Sequence, residues 1–243
     1  MIRIEHLRKL FGEFTAVDDI SIHIHRGEVF ALLGPNGSGK TTTLKSIVGL
    51  TIPTAGTILV SGLDIREHPR ATRQLLSYLP QRVVFPENQT AREILAFYCR
   101  LRKLPALHAE EALAKSGLVD SADRLVARFS GGMIQRLGLA VVELPDAPVV
   151  LLDEPTANLD PHGVKRFREF ILRQKEMGKT IVFSTHLLAE AEQLADRVGI
   201  FVGGKIVAEE SVENLRRTYQ AAGSIEDLYL HYVGGAYDAH GDA

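Results

Sequence analysis

The eight residues Gly34-Pro35-Asn36-Gly37-Ser38-Gly39-Lys40-Thr41 constrain this chain most, because they satisfy the pattern G-x-x-x-x-G-K-[ST] between an apolar run and a helix-like run. Before them, Val29-Phe30-Ala31-Leu32-Leu33, bounded by Gly27 and Gly34, predicts a strand buried on both faces. After them, Leu44, Ile47 and Val48 predict a helix over residues 41–50 that Gly49 stops. A triphosphate presents several anionic oxygens at once, so its site needs many donors at short range. Glycines at 34, 37 and 39 let the backbone curl with its N–H groups inward, and the following helix adds the positive end of its dipole. In such a loop Lys40 reaches the β- and γ-phosphates, and Thr41 offers its hydroxyl to Mg²⁺, a hard cation that prefers oxygen ligands.

Composition narrows the setting. With 243 residues, 45% of them hydrophobic, the chain can bury a large core in one domain or in a core with a subdomain. No window approaches 18 consecutive apolar residues, and the first residues lack the pattern of an export signal, so a soluble cytoplasmic protein is expected. A single cysteine, Cys99, excludes an internal disulfide and any multi-cysteine metal site; it is expected to pack as a small hydrophobe. A formal net charge of −2 gives no electrostatic reason to expect nucleic acid as a partner.

Taken in order, Ile2 and Ile4, then Ile20, Ile22 and Ile24, alternate with polar residues and predict two half-buried strands ahead of the phosphate loop. His23 and His25 share the opposite face, read as solvated rather than as a metal pair because no third ligand is near in sequence. Phe11 has two readings, a stacking surface for a base or an ordinary core phenylalanine. Residues 54–64 read as one strand between turn signals, and 75–81 as another that ends at Pro80, which puts Gln81 at a strand end. Ile94, Leu95, Phe97, Tyr98 and Leu101 mark a helix over 90–102, and a second helical run over 107–118 ends near Gly117. A helical insertion over about 88–145 follows from these spacings.

Phe129-Ser130-Gly131-Gly132-Met133 opens another helix, with Leu137, Ala140, Val141 and Leu144 at helical period up to Pro145. A serine and two glycines at a helix start form a second anion-seeking turn, far in sequence from the first. Val149-Val150-Leu151-Leu152 then leads into Asp153-Glu154, a buried parallel strand ending in two carboxylates at the sheet edge where open α/β sheets bind ligands. Asp153 suits Mg²⁺, directly or through water, and Glu154 suits the orientation and polarisation of an attacking water. Asp160-Pro161 starts a helix that runs to Gly178, with Asp160 as cap. Residues 180–185 predict one more buried strand beside that of Asp153, and His186 just beyond it is placed to meet a γ-phosphate. Gly203-Gly204 marks a hairpin, and residues 234–243 read as a frayed tail.

From Ile2 to about Val233 this succession resembles the nucleotide-binding subunit of ATP-binding cassette (ABC) transporters. The match comprises the Walker A loop Gly34 to Thr41, the Q-loop Gln81, the signature Phe129 to Met133, the Walker B strand ending at Asp153 with Glu154, the D-loop Asn158-Leu159-Asp160 and the switch His186. The resemblance implies a P-loop α/β fold: a mainly parallel sheet, an N-terminal antiparallel β subdomain and an inserted helical subdomain, in one ATPase domain over 1–233. It implies ATP and Mg²⁺ as cofactors. Nucleotide contacts would come from Phe11, Gly34, Pro35, Asn36, Gly37, Ser38, Gly39, Lys40, Thr41, Thr42 and the D-loop Asp160, with Ser130, Gly131 and Gly132 acting across a head-to-tail homodimer. Metal ligands would be Thr41, Gln81 and Asp153, and the catalytic groups Glu154, His186 and Lys40. A separate membrane permease subunit would dock near Phe85 to Tyr98 and hold the protein on the inner face of the membrane. Phe129, Met133 and Asn158 depart from the commonest family residues, while the serine, both signature glycines and Asp160 remain. The segment Ser224-Ile225-Glu226-Asp227-Leu228-Tyr229-Leu230 resembles the end of cassettes of the ABC-2 export class. The alternative is a soluble or force-transmitting cassette ATPase that acts on nucleic acid, a ribosome or an envelope partner without moving a solute.

Overall fold

The structure is a computed structural model and describes residues 1–157 and 159–220. Its strands are β1 (Ile2–Phe11), β2 (Phe14–Ile24), β3 (Val29–Leu33), β4 (Ala55–Val60), β5 (Leu63–Asp64), β6 (Leu76–Leu79), β7 (Val149–Leu152), β8 (Thr180–Thr185), β9 (Arg197–Val202) and β10 (Lys205–Ser211). They form an antiparallel sheet in the order β2-β1-β4-β5 and a six-stranded sheet in the order β10-β9-β3-β8-β7-β6. In the larger sheet every pairing is parallel except the edge pair β9–β10.

Continuous apolar strands need cover on both faces, and here the alternation divides each strand between two cores. Phe30, Leu32, Val149, Leu151 and Val182 point toward the antiparallel sheet and helix α1 (Lys40–Ile47), where they meet Ile2, Ile4, Ile22, Ile24, Leu44 and Ile47. Val29, Ala31, Leu33, Val150, Leu152, Ile181 and Phe183 face the other way, against helices α6 (Pro161–Glu176) and α7 (Leu188–Leu194). Phe167 of α6 meets Phe183 edge to face with ring centroids 6.5 Å apart, a geometry that matches the ring quadrupoles. Helices α3 (Ala91–Arg102), α4 (Leu107–Ser116) and α5 (Gly131–Glu143) enclose a third core that includes Ile94, Leu95, Leu113, Leu137 and the buried Cys99. Burial pushes the Cys99 thiol pKa up. The inserted helical subdomain thus has a hydrophobic centre of its own.

Local sequence signals account for the element ends. Thr90 caps α3 through its hydroxyl while Glu93 reaches back to the Thr90 N–H, a reciprocal capping box. Asp160 caps α6 by accepting from the Gly163 N–H at 2.7 Å, with Pro161 at the first helical position. Residues 54–64 do not form one strand. Ser61 and Gly62 both take positive φ, 51° and 81°, and reverse the chain so that β5 pairs antiparallel to β4, as a two-residue turn of this handedness does. The first helix also stops at Ile47, short of residue 50. Helices α2 (Pro69–Gln74) and α8 (Val212–Gln220), with α7, lie where no periodic signal was read. The domain end at Val233, the tail over 234–243 and the segment Ser224 to Leu230 fall outside the described residues. No described helix is long and apolar enough to cross a membrane.

Because Phe167 is wholly buried between α6 and β8, Phe167→Ala is expected to lower unfolding free energy by about 3–5 kcal/mol in urea titrations, the range for phenylalanine truncation in a tight core.

A candidate nucleotide site at the C-terminal edge of the parallel sheet

Strands β3, β7 and β8 run parallel and end at the same edge, so the residues that follow them, Gly34, Asp153 and His186, converge although they are distant in sequence. The turn after β3 is held tightly. Gly34 N–H donates to the Thr185 carbonyl at 3.2 Å, and a Cβ at Gly34 would stand 2.3 Å from the Phe201 carbonyl oxygen. At Gly39 the backbone is left-handed, φ 104°, and a Cβ would meet the Ala16 carbonyl at 2.7 Å. Glycine is therefore required at both positions by the protein's own packing.

Inside the loop Lys40 is almost fully buried. Its ammonium donates to the Gly34 and Pro35 carbonyls at 2.7 and 2.8 Å and lies 3.7 Å from Glu154. Burial pulls the Lys40 pKa below that of an ordinary lysine, with Glu154 and Asp153 opposing the shift. Ser38 Oγ is buried in the same loop without a hydrogen-bond partner. An orphaned hydroxyl beside a buried ammonium and inward-curled amides is a donor set suited to phosphate oxygens.

Asp153 has no exposed surface. Ser184 Oγ donates to its Oδ1 at 2.7 Å, Thr41 Oγ1 donates to the same oxygen at 2.9 Å, and Tyr78 Oη lies 3.4 Å from Oδ2. Burial, then the Asp153 charge, raise the Tyr78 pKa well above the usual phenol value. Glu154 follows with a positive φ of 43°, a strained conformation for a side-chain-bearing residue, and its N–H donates to Ser184 Oγ at 2.8 Å. The Glu154 carboxylate accepts from Gln81 Nε2 at 3.1 Å and stands 3.7 Å from His186 Nδ1. Among the described residues no cluster of three His, Cys, Asp or Glu could hold a metal. A hydroxyl, an amide oxygen and one buried carboxylate beside a phosphate loop suit Mg²⁺, which keeps waters and phosphate oxygens as its remaining ligands.

A cavity of 410 Å³ joins Asn36, Gly37, Ser38, Gly39, Lys40, Thr41, Thr42, Gln81 and Glu154. Its aromatic wall is Phe14, whose exposed ring the sequence reading passed over; Phe11, paired with Phe14 at the β1–β2 turn, is not part of the lining and carries the Lys9 ammonium 4.7 Å above its ring. The Ser130 turn is elsewhere. Ser130 caps α5 by accepting from the Met133 N–H, and Ser130, Gly132 and Asp160 line a different cavity of 390 Å³. One chain therefore brings together Lys40, Thr41, Gln81, Asp153, Glu154 and His186 but leaves Ser130 and Asp160 apart from them. Asn158 lies outside the described residues. His23 and His25 are exposed, with rings 4.5 Å apart. Sequence reading also missed Ser184, Tyr78 and Gln135, whose amide donates at 2.7 Å to the Pro155 carbonyl and so ties α5 to the Glu154 turn. Polar residues in buried apolar strands were the available signal for Ser184 and Tyr78.

The ABC transporter family description matches residues 17–157, more than half of the chain. The chain belongs to the ABC transporter family. It is 39% identical over 225 residues to the uncharacterized ABC transporter ATP-binding protein YxlF of Bacillus subtilis, covering 90% of this chain and 74% of that one. It is 34% identical over 233 residues to the lantibiotic transport ATP-binding protein SrtF of Streptococcus pyogenes, covering 96% and 97%. A solved ATP-binding subunit of an ABC transporter superposes with a TM-score of 0.86 at 30% identity, over 96% of this chain and 99% of that one. A dimeric cassette in a post-hydrolysis state with ADP and Pi bound superposes with a TM-score of 0.79 at 25% identity, over 87% and 99%. This ABC subunit binds ATP and hydrolyses it.

Ser184 serves two buried partners at once. Ser184→Ala is expected to cost about 1–3 kcal/mol of stability, measured by urea unfolding, because the Glu154 N–H loses its acceptor.

Proposed function

We propose that two copies of this ABC ATPase pack head to tail, each closing its Ser130 turn over ATP held by the other's phosphate loop, and that a separate membrane subunit converts closure and reopening into transport. The observation that carries this reading is the pair Gly131-Gly132. Among the described residues a Cβ at either position would meet nothing within 4 Å, and neither has a positive φ, so their packing gives no reason for glycine at these helix-starting positions. Glycine is also a poorer helix former than alanine. Close approach of phosphates from outside the chain supplies the missing reason. A cassette solved as a dimer in a post-hydrolysis state is among the structural relatives and supports dimerisation.

In this assignment Gly34 to Thr42 hold the phosphates, and Thr41, Asp153 and Gln81 hold Mg²⁺, which when bound supplies charge neutralisation at the β- and γ-phosphates. Glu154 orients and polarises the attacking water, with His186 at the γ-phosphate, Lys40 on the developing charge and Asp160 at the partner's face. Phe14 offers the base an aromatic surface at the cavity, with Phe11 paired beside it across the β1–β2 turn. The exposed side chains of Val84, Phe97 and Leu101 near Gln81 and α3 support docking of an integral membrane partner over Phe85 to Tyr98, which would place the protein peripherally on the inner membrane face. ABC relatives named for transport support a transport role of the export class over a cassette acting on nucleic acid, a ribosome or an envelope partner.

Differential affinity for the closed state is what drives closure, so blocking hydrolysis should hold it. Glu154→Gln is expected to reduce ATP turnover at least about 10²-fold and to elute as a dimer in ATP on size-exclusion chromatography; a monomer under those conditions contradicts the proposal. Chelation of Mg²⁺ is expected to abolish turnover, followed by phosphate release.

A further inference from the structure

Glu190 is a carboxylate with 4% of its surface exposed, and among the described residues no cation pairs with it. Its partner is a hydroxyl. Thr185 Oγ1 donates to Glu190 Oε2 at 2.9 Å and accepts from the Leu187 N–H at 3.0 Å. The two residues that flank His186 in sequence are thus tied together by one buried hydroxyl, and that hydroxyl has its only proton committed to Glu190. Thr185 is 2% exposed, and its carbonyl accepts from Gly34 N–H at the start of the phosphate loop.

Glu190 is the third residue of α7, whose N-cap is Leu187. In an ordinary capping box a glutamate at this position accepts directly from the N-cap N–H. Here the Thr185 hydroxyl is inserted between them, so the cap reaches past Leu187 to the end of β8 and encloses His186. A helix cap alone would not need this detour, nor a buried carboxylate, whose desolvation is unfavourable unless its hydrogen bonds are made. The side chain held inside the loop, His186, is half exposed and stands 3.7 Å from Glu154.

We infer that Thr185 and Glu190 are positioning residues: their hydrogen-bonded relay fixes the turn that aims His186 at the Glu154 side of the nucleotide site. The inference rests on the role assigned to His186 above, and its test separates the two. ATP turnover is measured for wild type, His186→Ala, Glu190→Ala, Glu190→Gln, Thr185→Val, Thr185→Ser and the double variant His186→Ala with Glu190→Ala. Expected are losses in kcat of about tenfold or more for Glu190→Ala and Thr185→Val, a part of the 10²–10⁴ typical of a general acid–base group, with KM for ATP changed less than about twofold. Glutamine at 190 and serine at 185 keep the relay's acceptor and donor and should restore most of kcat. In the double variant the second change should cost nothing further, because both act through one side chain. Losses that multiply, or wild-type kcat in Glu190→Ala while His186→Ala is inactive, overturn the relay. Wild-type kcat in His186→Ala overturns the histidine's role instead, and the relay's purpose with it. Where Glu190→Ala fails to fold by circular dichroism, the Thr185→Val and Thr185→Ser pair decides by the same criteria.

Discussion

Asp153 is a fully buried carboxylate whose hydrogen-bond partners are hydroxyls, and the architecture depends on keeping that charge satisfied. A carboxylate removed from water is tolerated when its lone pairs are occupied and a counter-charge is near. Ser184 reaches it from β8, Thr41 from the start of α1 and Tyr78 from β6, while the buried Lys40 ammonium supplies the opposite charge from the phosphate loop. Three strands and one helix are thereby referred to a single oxygen pair. The same edge leaves donors and acceptors facing a cavity, so the device that orders it is also the one proposed to receive a nucleotide. Stability and chemistry share a set of atoms here, which explains why Glu154 can be held in a left-handed backbone conformation directly beside it.

Much of this is legible in the sequence itself. The phosphate loop, its flanking strand and helix, the run into Asp153-Glu154 and the adjacency of the His186 strand followed from period, glycine placement and the rule that ligands gather at strand ends. Those signals are local or nearly so. What escaped reading depended on contacts between distant segments. Ser184 and Tyr78 sit in strands whose apolar character says only "buried", and their partner lies on another strand. Gln135 is one more polar residue in a helix until the Pro155 carbonyl is seen opposite it. Phe11 and Phe14 are equivalent in sequence terms; only the turn between β1 and β2 decides that Phe14 lines the cavity. The break at Ser61-Gly62 was a missed turn signal, since serine rarely adopts positive φ.

The two anion-seeking helix starts are the feature that a single chain leaves unfinished. The first is complete: Gly34 and Gly39 are demanded by neighbouring carbonyls, its lysine is buried, and its Ser38 hydroxyl has no hydrogen-bond partner among the described residues. The second has glycines that nothing among the described residues demands and a serine whose hydroxyl caps its own helix. The proposed site shared between two copies would make use of both. It also gives a reason for the links that run between them, from α5 through Gln135 to the Glu154 turn, and from Thr185 through the Gly34 amide to the phosphate loop.

In the proposed dimer the second set of donors comes from the other copy. A crystal structure grown with Mg²⁺ and a non-hydrolysable ATP analogue tests it most directly. The account predicts Ser130 Oγ and the Gly131 and Gly132 amides of one copy within hydrogen-bonding distance of the γ-phosphate that Lys40 of the other copy holds. A γ-phosphate covered by its own chain alone, with every Ser130 facing solvent, would contradict it.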